Sequence, residues 1–202
     1  MTGKTHFAVG EAAALLLTHP TTAKGLALCL GAAAVGSMIS DIDVTSSHSH
    51  RDVTIITSTA LASAAIIAGL ELHFHLGILS LLQRQTNIWR ILLGLVVSLA
   101  ICNFGMQQPH RSFMHSLFGW FLLTALVGEI FPFLVPAFAL SMASHILLDL
   151  LNRKRVRLLY PLHRGFCLNL CPASGRINDL ICLAGSAAAG VGLALSLWRI
   201  FL

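Results

Sequence analysis

Charged residues are scarce in this chain. Asp, Glu, Lys and Arg together make up 10% of its 202 residues, whereas 56% are hydrophobic. A soluble domain carries about 25% charged residues, so the composition excludes an ordinary soluble protein. The mean hydropathy of +0.81 instead indicates several membrane spans. The net charge of +5 suits a protein that lies beside an anionic membrane surface.

The motifs of several common protein classes are also missing. The five cysteines are odd in number and include no Cys-x-x-Cys pair. Cys167 and Cys171 could form a metal pair, but free thiols are the simpler interpretation. The chain has no Gly-rich phosphate loop and no Gly-x-Ser-x-Gly motif. The basic run 153–157 lacks interleaved aromatic residues, so nucleic acid is not expected as a partner.

Long apolar segments predict an all-α, polytopic membrane bundle of about six or seven hydrophobic helices, in one domain that covers residues 1–202. The segments are rich in Ala, Leu, Ile and Gly, as is typical of helices in lipid. A further stretch, 73–85, fits a short helix in the membrane interface, and 152–178 is the main polar loop. The segments fall at 5–18, 25–40, 54–72, 88–104, 112–131, 133–151 and 179–201.

The unusual polar residues all reach one face if every segment crosses the membrane. Hydropathy alone does not require the polar residues to share a face. Their shared face therefore predicts a single assembled site. Nine of the 13 Lys and Arg residues lie on that face, which predicts that the site faces the cytoplasm. The residues concerned are His6, Asp41, Asp43, His110, Arg111, His115, His145 and Asp149.

The stretch "SHILLD" (144–149) places two metal-binding residue types on one helix. His145 and Asp149 are four residues apart, so a helix stacks them on one face. Such a pair can bind a transition metal, or Asp149 can orient another ligand. A helix-end pair satisfied by neighbours is the alternative, but buried ionisable residues in membrane helices are usually functional.

The stretch "SDID" (40–43) follows an apolar segment directly. Asp41 and Asp43 can both point to one cation, and oxygen ligands suit zinc, manganese or magnesium. Alternatively, Asp43 is the ligand and Asp41 a helix cap, or both are solvated loop acids. The last option is disfavoured because an anionic lipid surface repels carboxylates. Either aspartate could also bridge ions or act as a general base.

The stretch "HRSFMHSL" (110–117) carries two histidines and an arginine. Pro109 predicts the first turn of a helix, with His110 at its start and His115 further in. Both histidines could bind metal, or His115 binds while His110 acts as acid or base. Arg111 suits a phosphate clamp, because a guanidinium meets phosphate oxygens two at a time. His6, near the start of the first segment, is a further candidate ligand.

In combination, these motifs resemble the YdjM-like family of inner-membrane proteins. The shared pattern is Thr-His near the N-terminus, Asp-Ile-Asp, His-Arg-x-x-x-His-Ser and Ser-His-x-x-x-Asp, followed by "LLYP" (158–161) and "GRIND" (175–179). It spans most of the chain, from His6 to about Asp179. The family is described as metal-dependent hydrolases, distantly similar to zinc-dependent phospholipase C, an all-helical enzyme with a His/Asp metal cluster.

The resemblance implies a ligand set and a bacterial or archaeal inner-membrane location. Some positions depart from the family pattern: Ser112 and Met114 stand where Gly and Thr are usual, Ser40 where Pro is usual, and Asn152 where Thr is common. The departures leave the ligands in place but change their surroundings. The implied ligands are His6, Asp41 or Asp43, His110, His115, His145 and Asp149.

The sequence thus predicts a membrane-bound, metal-dependent hydrolase of a phosphoester in a phospholipid or lipid-linked phosphate. One to three divalent ions are expected, with zinc favoured and manganese the alternative, and a metal-activated water would attack at the cytoplasmic interface. A metal-binding membrane protein without catalysis and an ion transporter are the alternatives, although transporter sites lie near the bilayer midplane. No oligomeric state is predicted. The predicted catalytic residues are Asp41, Asp43, His110 and Arg111.

Overall fold

The protein is a bundle of helices, as seen in a computed structural model that describes residues 1–44 and 88–202. Within those residues there is no strand beyond two isolated bridges. The all-α prediction is therefore confirmed, while the predicted segments 54–72 and 73–85 lie outside the described residues. The six described helices are α1 (Gly3–Thr18), α2 (Ala23–Ile39), α3 (Ile88–Met106), α4 (Leu117–Ile130), α5 (Val135–Leu150) and α6 (Arg176–Phe201).

Three helical stretches are long and apolar enough to cross a membrane: Ala23–Asp43, Pro132–Leu150 and Arg176–Phe201. Two shorter apolar helices, Leu93–Met106 and Leu117–Ile130, accompany them. Large apolar side chains on α6 are widely exposed, as lipid-facing side chains are. These features fit the predicted polytopic membrane bundle, because a helix satisfies its own backbone hydrogen bonds in lipid.

Helix α1 packs against α2, α5 and α6, and α2 also packs against α5. The α2–α5 approach is close at Gly36, where an added Cβ would lie 2.6 Å from the Phe138 carbonyl oxygen. The Ser141 hydroxyl of α5 donates to the Ala33 carbonyl of α2 over 2.6 Å. The C-terminal ends of α2 and α5 are thereby held beside the N-terminal part of α1.

The predicted helix start at Pro109 is wrong. The chain is irregular from His110 to Ser116, apart from the 3-10 turn Phe113–His115, and α4 begins at Leu117. Arg111 has a φ of 64°, outside the helical region. Its backbone N–H donates to the Asp43 carboxylate over 3.2 Å instead of to a helical carbonyl. Ser116 is the true N-cap, because its hydroxyl accepts from the Gly119 N–H over 3.0 Å.

Candidate metal centre

The seven predicted metal ligands lie together at one end of the bundle. Helix α1, the 3-10 turn Ser40–Asp43, the irregular segment 110–116 and α5 each contribute to the cluster. His115 and His145 are fully buried, and His6 and Asp149 are almost so. The prediction that these residues assemble in one place is confirmed. The contacts within the cluster join His6, Asp41, Asp43, His110, His115, His145 and Asp149.

The cluster contains three overlapping groups of possible metal ligands. In each group, the ligand atoms of three side chains lie within 4.8 Å of one another. His145 belongs to the first two groups and His115 to the last two. The cluster is therefore continuous. The groups are His6, His145 and Asp149; Asp41, His115 and His145; and Asp43, His110 and His115.

The spacing within the cluster fits ligands that share an ion. Five of the imidazole nitrogen to carboxylate oxygen separations are 3.3–3.5 Å. Two ligands on one tetrahedral zinc, each about 2.0–2.1 Å from the metal, lie about 3.4 Å apart. These separations are long for hydrogen bonds between the same atoms, so they suit coordination better than direct pairing.

A backbone carbonyl fixes the tautomer of His145. The Nδ1 atom lies 2.6 Å from the Ser37 carbonyl oxygen, which can only accept, so Nδ1 carries the proton. The lone pair is then on Nε2, which points toward Asp41 at 3.5 Å. Among the described residues, this buried Nε2 has no hydrogen-bond partner. A lone pair facing a carboxylate is stable only with a cation between them, and a metal ion fits that requirement.

The other buried histidines have similar surroundings. Within the part of the chain that the structure describes, neither ring nitrogen of His115 has a hydrogen-bond partner, nor does Nδ1 of His6. The His6 ring stacks on His145 with centroids 3.7 Å apart. Its Nε2 lies 3.3 Å from an Asp149 oxygen. His6, a lone histidine in the sequence, is thus part of the cluster.

Carboxylates are the main charged groups of the cluster. Three carboxylates converge on it, and the cations that pair with Asp149 are Arg111 and the amino group of Met1, at 2.9 and 2.8 Å. Burial by itself lowers the pKa of the His115 imidazole, but the three carboxylates around it hold that pKa well above its usual value. This charge distribution favours a divalent cation among the three carboxylates.

A family model described as YdjM inner membrane protein matches residues 1–201. The chain belongs to the YdjM inner membrane protein family. No curated protein and no solved structure matches the chain. The family to which the motifs pointed is thus confirmed, and the distant similarity to phospholipase C stays an expectation.

Arg111 is closer to the ligands of this YdjM-family site than the sequence indicated. Its side chain is buried, with Nη2 on Asp149 at 2.9 Å and Nη1 donating to the Lys154 carbonyl over 2.9 Å. Its Nε atom has no hydrogen-bond partner within residues 1–44 and 88–202. The guanidinium therefore borders the cluster directly, and its role as a phosphate clamp stays a prediction.

His110 is the cluster member that faces outward. Its side chain is 37% exposed, and its Nδ1 lies 2.9 Å from an Asp43 oxygen. The same carboxylate accepts from the Arg111 backbone N–H through its other oxygen. Asp43 therefore fixes the ring orientation of His110 and the path of the backbone beside it.

Two asparagines of the YdjM-family site were missed as candidates. Asn152 is buried and donates to the Asp149 carboxylate over 3.0 Å. Asn178 accepts from the hydroxyl of Thr5 over 2.9 Å and so anchors the turn of α1 that carries His6. The only sequence feature that could have identified them is their position: Asn152 follows Asp149 by three residues, and Asn178 lies in the "GRIND" motif. Glu11 of α1 is also buried, but it belongs to none of the three groups of possible metal ligands.

Proposed function

We propose that this YdjM-family protein is a membrane-bound, metal-dependent hydrolase of phosphoester bonds, acting at the cytoplasmic interface on a phospholipid or lipid-linked phosphate. The observation that carries the proposal is the set of overlapping His/Asp groups with buried ring nitrogens at ligand spacing. Nitrogen and carboxylate ligands suit zinc, with manganese as the alternative. A bound zinc ion lowers the pKa of a water ligand to near 7 and polarises a phosphoryl oxygen.

The residues of the chain itself have distinct roles in this proposal. His110 transfers a proton, and the other six cluster members bind the metal or orient the residues that bind it. Asp43 engages Nδ1 of His110, so Nε2 of this half-exposed ring exchanges a proton with water or with the leaving group. The Arg111 guanidinium, 2.9 Å from Asp149, offers a second positive charge to the phosphate.

The position of the site supports a lipid substrate. Asp43 ends the candidate span Ala23–Asp43, and Asp149 lies in the last turn of the candidate span Pro132–Leu150. A cluster at the ends of two spans is level with lipid head groups. Of the 11 Lys and Arg residues that the structure describes, eight lie on this face, which supports a cytoplasmic orientation.

An ion transporter is the second candidate, and the helices disfavour it. Helix α2 carries no charged residue from Gly25 to Ile39, and α5 carries none from Val135 to Ser144. An ion path along these helices would therefore meet only apolar and small polar side chains. Transporter sites lie near the midplane in broken helices, whereas this cluster lies at one end of α2 and α5.

The first test is the metal content of the detergent-purified protein, measured by elemental mass spectrometry. His115→Ala and Asp149→Asn are compared with two matched controls, His163→Ala and Glu129→Gln, which change exposed residues outside the cluster. We expect stoichiometric zinc or manganese in the wild type and both controls, and its loss in both cluster variants. A folded wild type that takes up no metal even after reloading would refute the proposal.

The second test separates catalysis from structural metal binding. Metal-loaded protein in lipid nanodiscs is supplied with phospholipids and lipid-linked phosphates, and release of phosphate or of a phosphorylated head group is measured. Hydrolysis that His110→Gln lowers without loss of metal would support the proposed proton transfer. Metal-loaded protein that is inactive on the whole lipid and phosphodiester panel would leave only a structural metal site.

A further inference from the structure

The loop between α5 and α6 is strongly cationic. We define the α5–α6 loop as residues 151–176, which include the first residue of α6 and contain six Lys or Arg residues and no Asp or Glu. Nearly half of the chain's 13 basic residues are thus confined to this one stretch. Such a surface attracts anions, and salt does not screen it fully at contact distance. The exposed cations are Arg153, Lys154, Arg155, Arg164 and Arg176.

The same loop exposes large apolar side chains. Leu162 is 58% exposed, Leu168 60% and Leu170 68%. A loop in water would leave such side chains unburied at a cost, since each loses roughly 1.5–3 kcal/mol of burial free energy. Cations interspersed with exposed Leu and Phe are the composition of a segment that lies in the membrane interface. Leu159 and Phe166 add to the apolar surface.

The loop is held in a defined shape by backbone hydrogen bonds. Val156 and Phe166 exchange N–H to carbonyl bonds of 2.7 and 2.8 Å, which closes one turn of the loop. The N–H groups of Leu168 and Leu170 donate to the carbonyls of Leu150 and Leu151 at the end of α5, over 2.7 and 3.0 Å. The exposed leucines are therefore presented from a fixed backbone.

The loop also forms part of the wall around the candidate metal centre. The Arg157 N–H donates to the Arg111 carbonyl over 2.8 Å, and the Leu117 N–H donates to the Leu158 carbonyl over 2.9 Å. The Arg111 guanidinium in turn donates to the Lys154 carbonyl. An anion bound by the loop is consequently held beside the segment that carries Arg111 and His110.

We propose that the α5–α6 loop binds anionic phospholipid head groups at the membrane surface, and that the substrate of the hydrolase is an anionic phospholipid. The statement about substrate rests on the proposed function, whereas the statement about lipid binding does not. Charge complementarity carries the choice of partner, because a zwitterionic head group offers no net charge to six cations. The exposed leucines favour a lipid over a free phosphate, since only a lipid also provides an apolar phase.

The test is native mass spectrometry of the detergent-purified protein titrated with phosphatidylglycerol or with phosphatidylcholine of the same acyl chains. The loop variant is Arg153→Gln with Lys154→Gln and Arg155→Gln. The matched control removes three cations elsewhere: Lys24→Gln, Arg90→Gln and Arg199→Gln. We expect the wild type and the control to prefer phosphatidylglycerol, and the loop variant to bind it roughly a hundredfold more weakly.

A single variant, competing anions and a metal measurement extend the test. The single variant Arg164→Gln, which disturbs the loop less, should lose roughly fivefold. Equal binding of the two lipids, or an equal loss in the control variant, would overturn the proposal. The proposal would also be overturned if inorganic phosphate or an oligonucleotide displaced phosphatidylglycerol at low concentration. Metal content is measured on the same samples, so absent metal with retained lipid preference would refute the hydrolase and leave the lipid surface standing.

Discussion

At the scale of single residues, Asp149 is the most connected member of the cluster. Its two carboxylate oxygens lie within 3.4 Å of nitrogens from the Met1 amino group, His6, Arg111, His115 and Asn152. These partners come from the N-terminal residues, from the middle of the chain and from the residues just after α5. A change that reorients this one carboxylate should therefore reach the whole cluster.

Asn152 tests that dependence without removing a ligand. In Asn152→Ala, Asp149 Oδ1 loses the donor 3.0 Å away, and its orientation is less fixed. Loss of such a supporting hydrogen bond weakens metal affinity by about 10–100-fold. Metal affinity measured by chelator competition should fall by that amount, with full occupancy regained at high metal concentration.

The control for this change is Asn103→Ala, at an exposed position of α3. It should leave the affinity for metal unchanged. Equal affinities for Asn152→Ala and the wild type would show that Asn152 does not orient the carboxylate.

At the scale of elements, the contact between α2 and α5 sets the distance between Asp41 and the α5 ligands. In Gly36→Ala, the new Cβ would lie 2.6 Å from the Phe138 carbonyl oxygen and 3.2 Å from the Ser141 Cβ. A backbone oxygen cannot turn aside, so the helices must separate. We expect a destabilisation of about 1–3 kcal/mol, seen as a lower unfolding temperature in detergent, together with reduced metal content.

Gly31 in the same helix is the matched control. An added Cβ there meets no atom within 4 Å in the described part of the chain. Gly31→Ala should keep the unfolding temperature or raise it, because alanine is favoured over glycine in a helix by roughly 1 kcal/mol. Similar effects of the two substitutions would contradict the close-contact interpretation.

The helices themselves were largely predictable, and one boundary was not. Apolar runs predicted each described helix to within a few residues, because a span must be long and apolar whatever its neighbours. The error at Pro109 has a different cause. Arg111 leaves the helical region because the Asp43 carboxylate and the Arg157 N–H bind its backbone, and no local pattern shows contacts so distant in sequence.

The membership of the cluster was predictable, and its internal arrangement was not. The count of crossings brought His6 and Asp149 to the same face although the sequence separates them widely. The stacking of His6 on His145 and the pairing of Arg111 with Asp149 depend on side-chain directions fixed only by packing. Asn152 and Asn178 were missed for the same reason, since an asparagine has no distinctive role until its partner is known.

At the scale of the whole molecule, the orientation in the membrane can be checked directly. Helix α6 starts on the face of the cluster, at Arg176, and runs to Phe201, so Leu202 should lie on the opposite, outer face. Alkaline phosphatase fused after Leu202 should be active in a bacterial host, because that enzyme folds only outside the cytoplasm. Green fluorescent protein fused after Leu202, and exported through the general secretory route, should not fluoresce.

Fusions with the reverse pattern would place the cluster on the outer face. The basic α5–α6 loop would then lie outside as well, against the charge asymmetry of eight to three among the 11 described Lys and Arg residues. Truncated fusions at Ser174, on the face of the cluster, provide the complementary control and should give the opposite signals.

The hydrogen bond between His145 and Ser37 limits how many ions the cluster can hold. With Nδ1 protonated, His145 has a single lone pair, and one lone pair serves one ion. The two groups that share His145 therefore cannot both be complete. The third group includes His110, which the proposed function reserves for proton transfer. The ligands then leave one complete three-residue site per chain, formed by either of the two groups that contain His145.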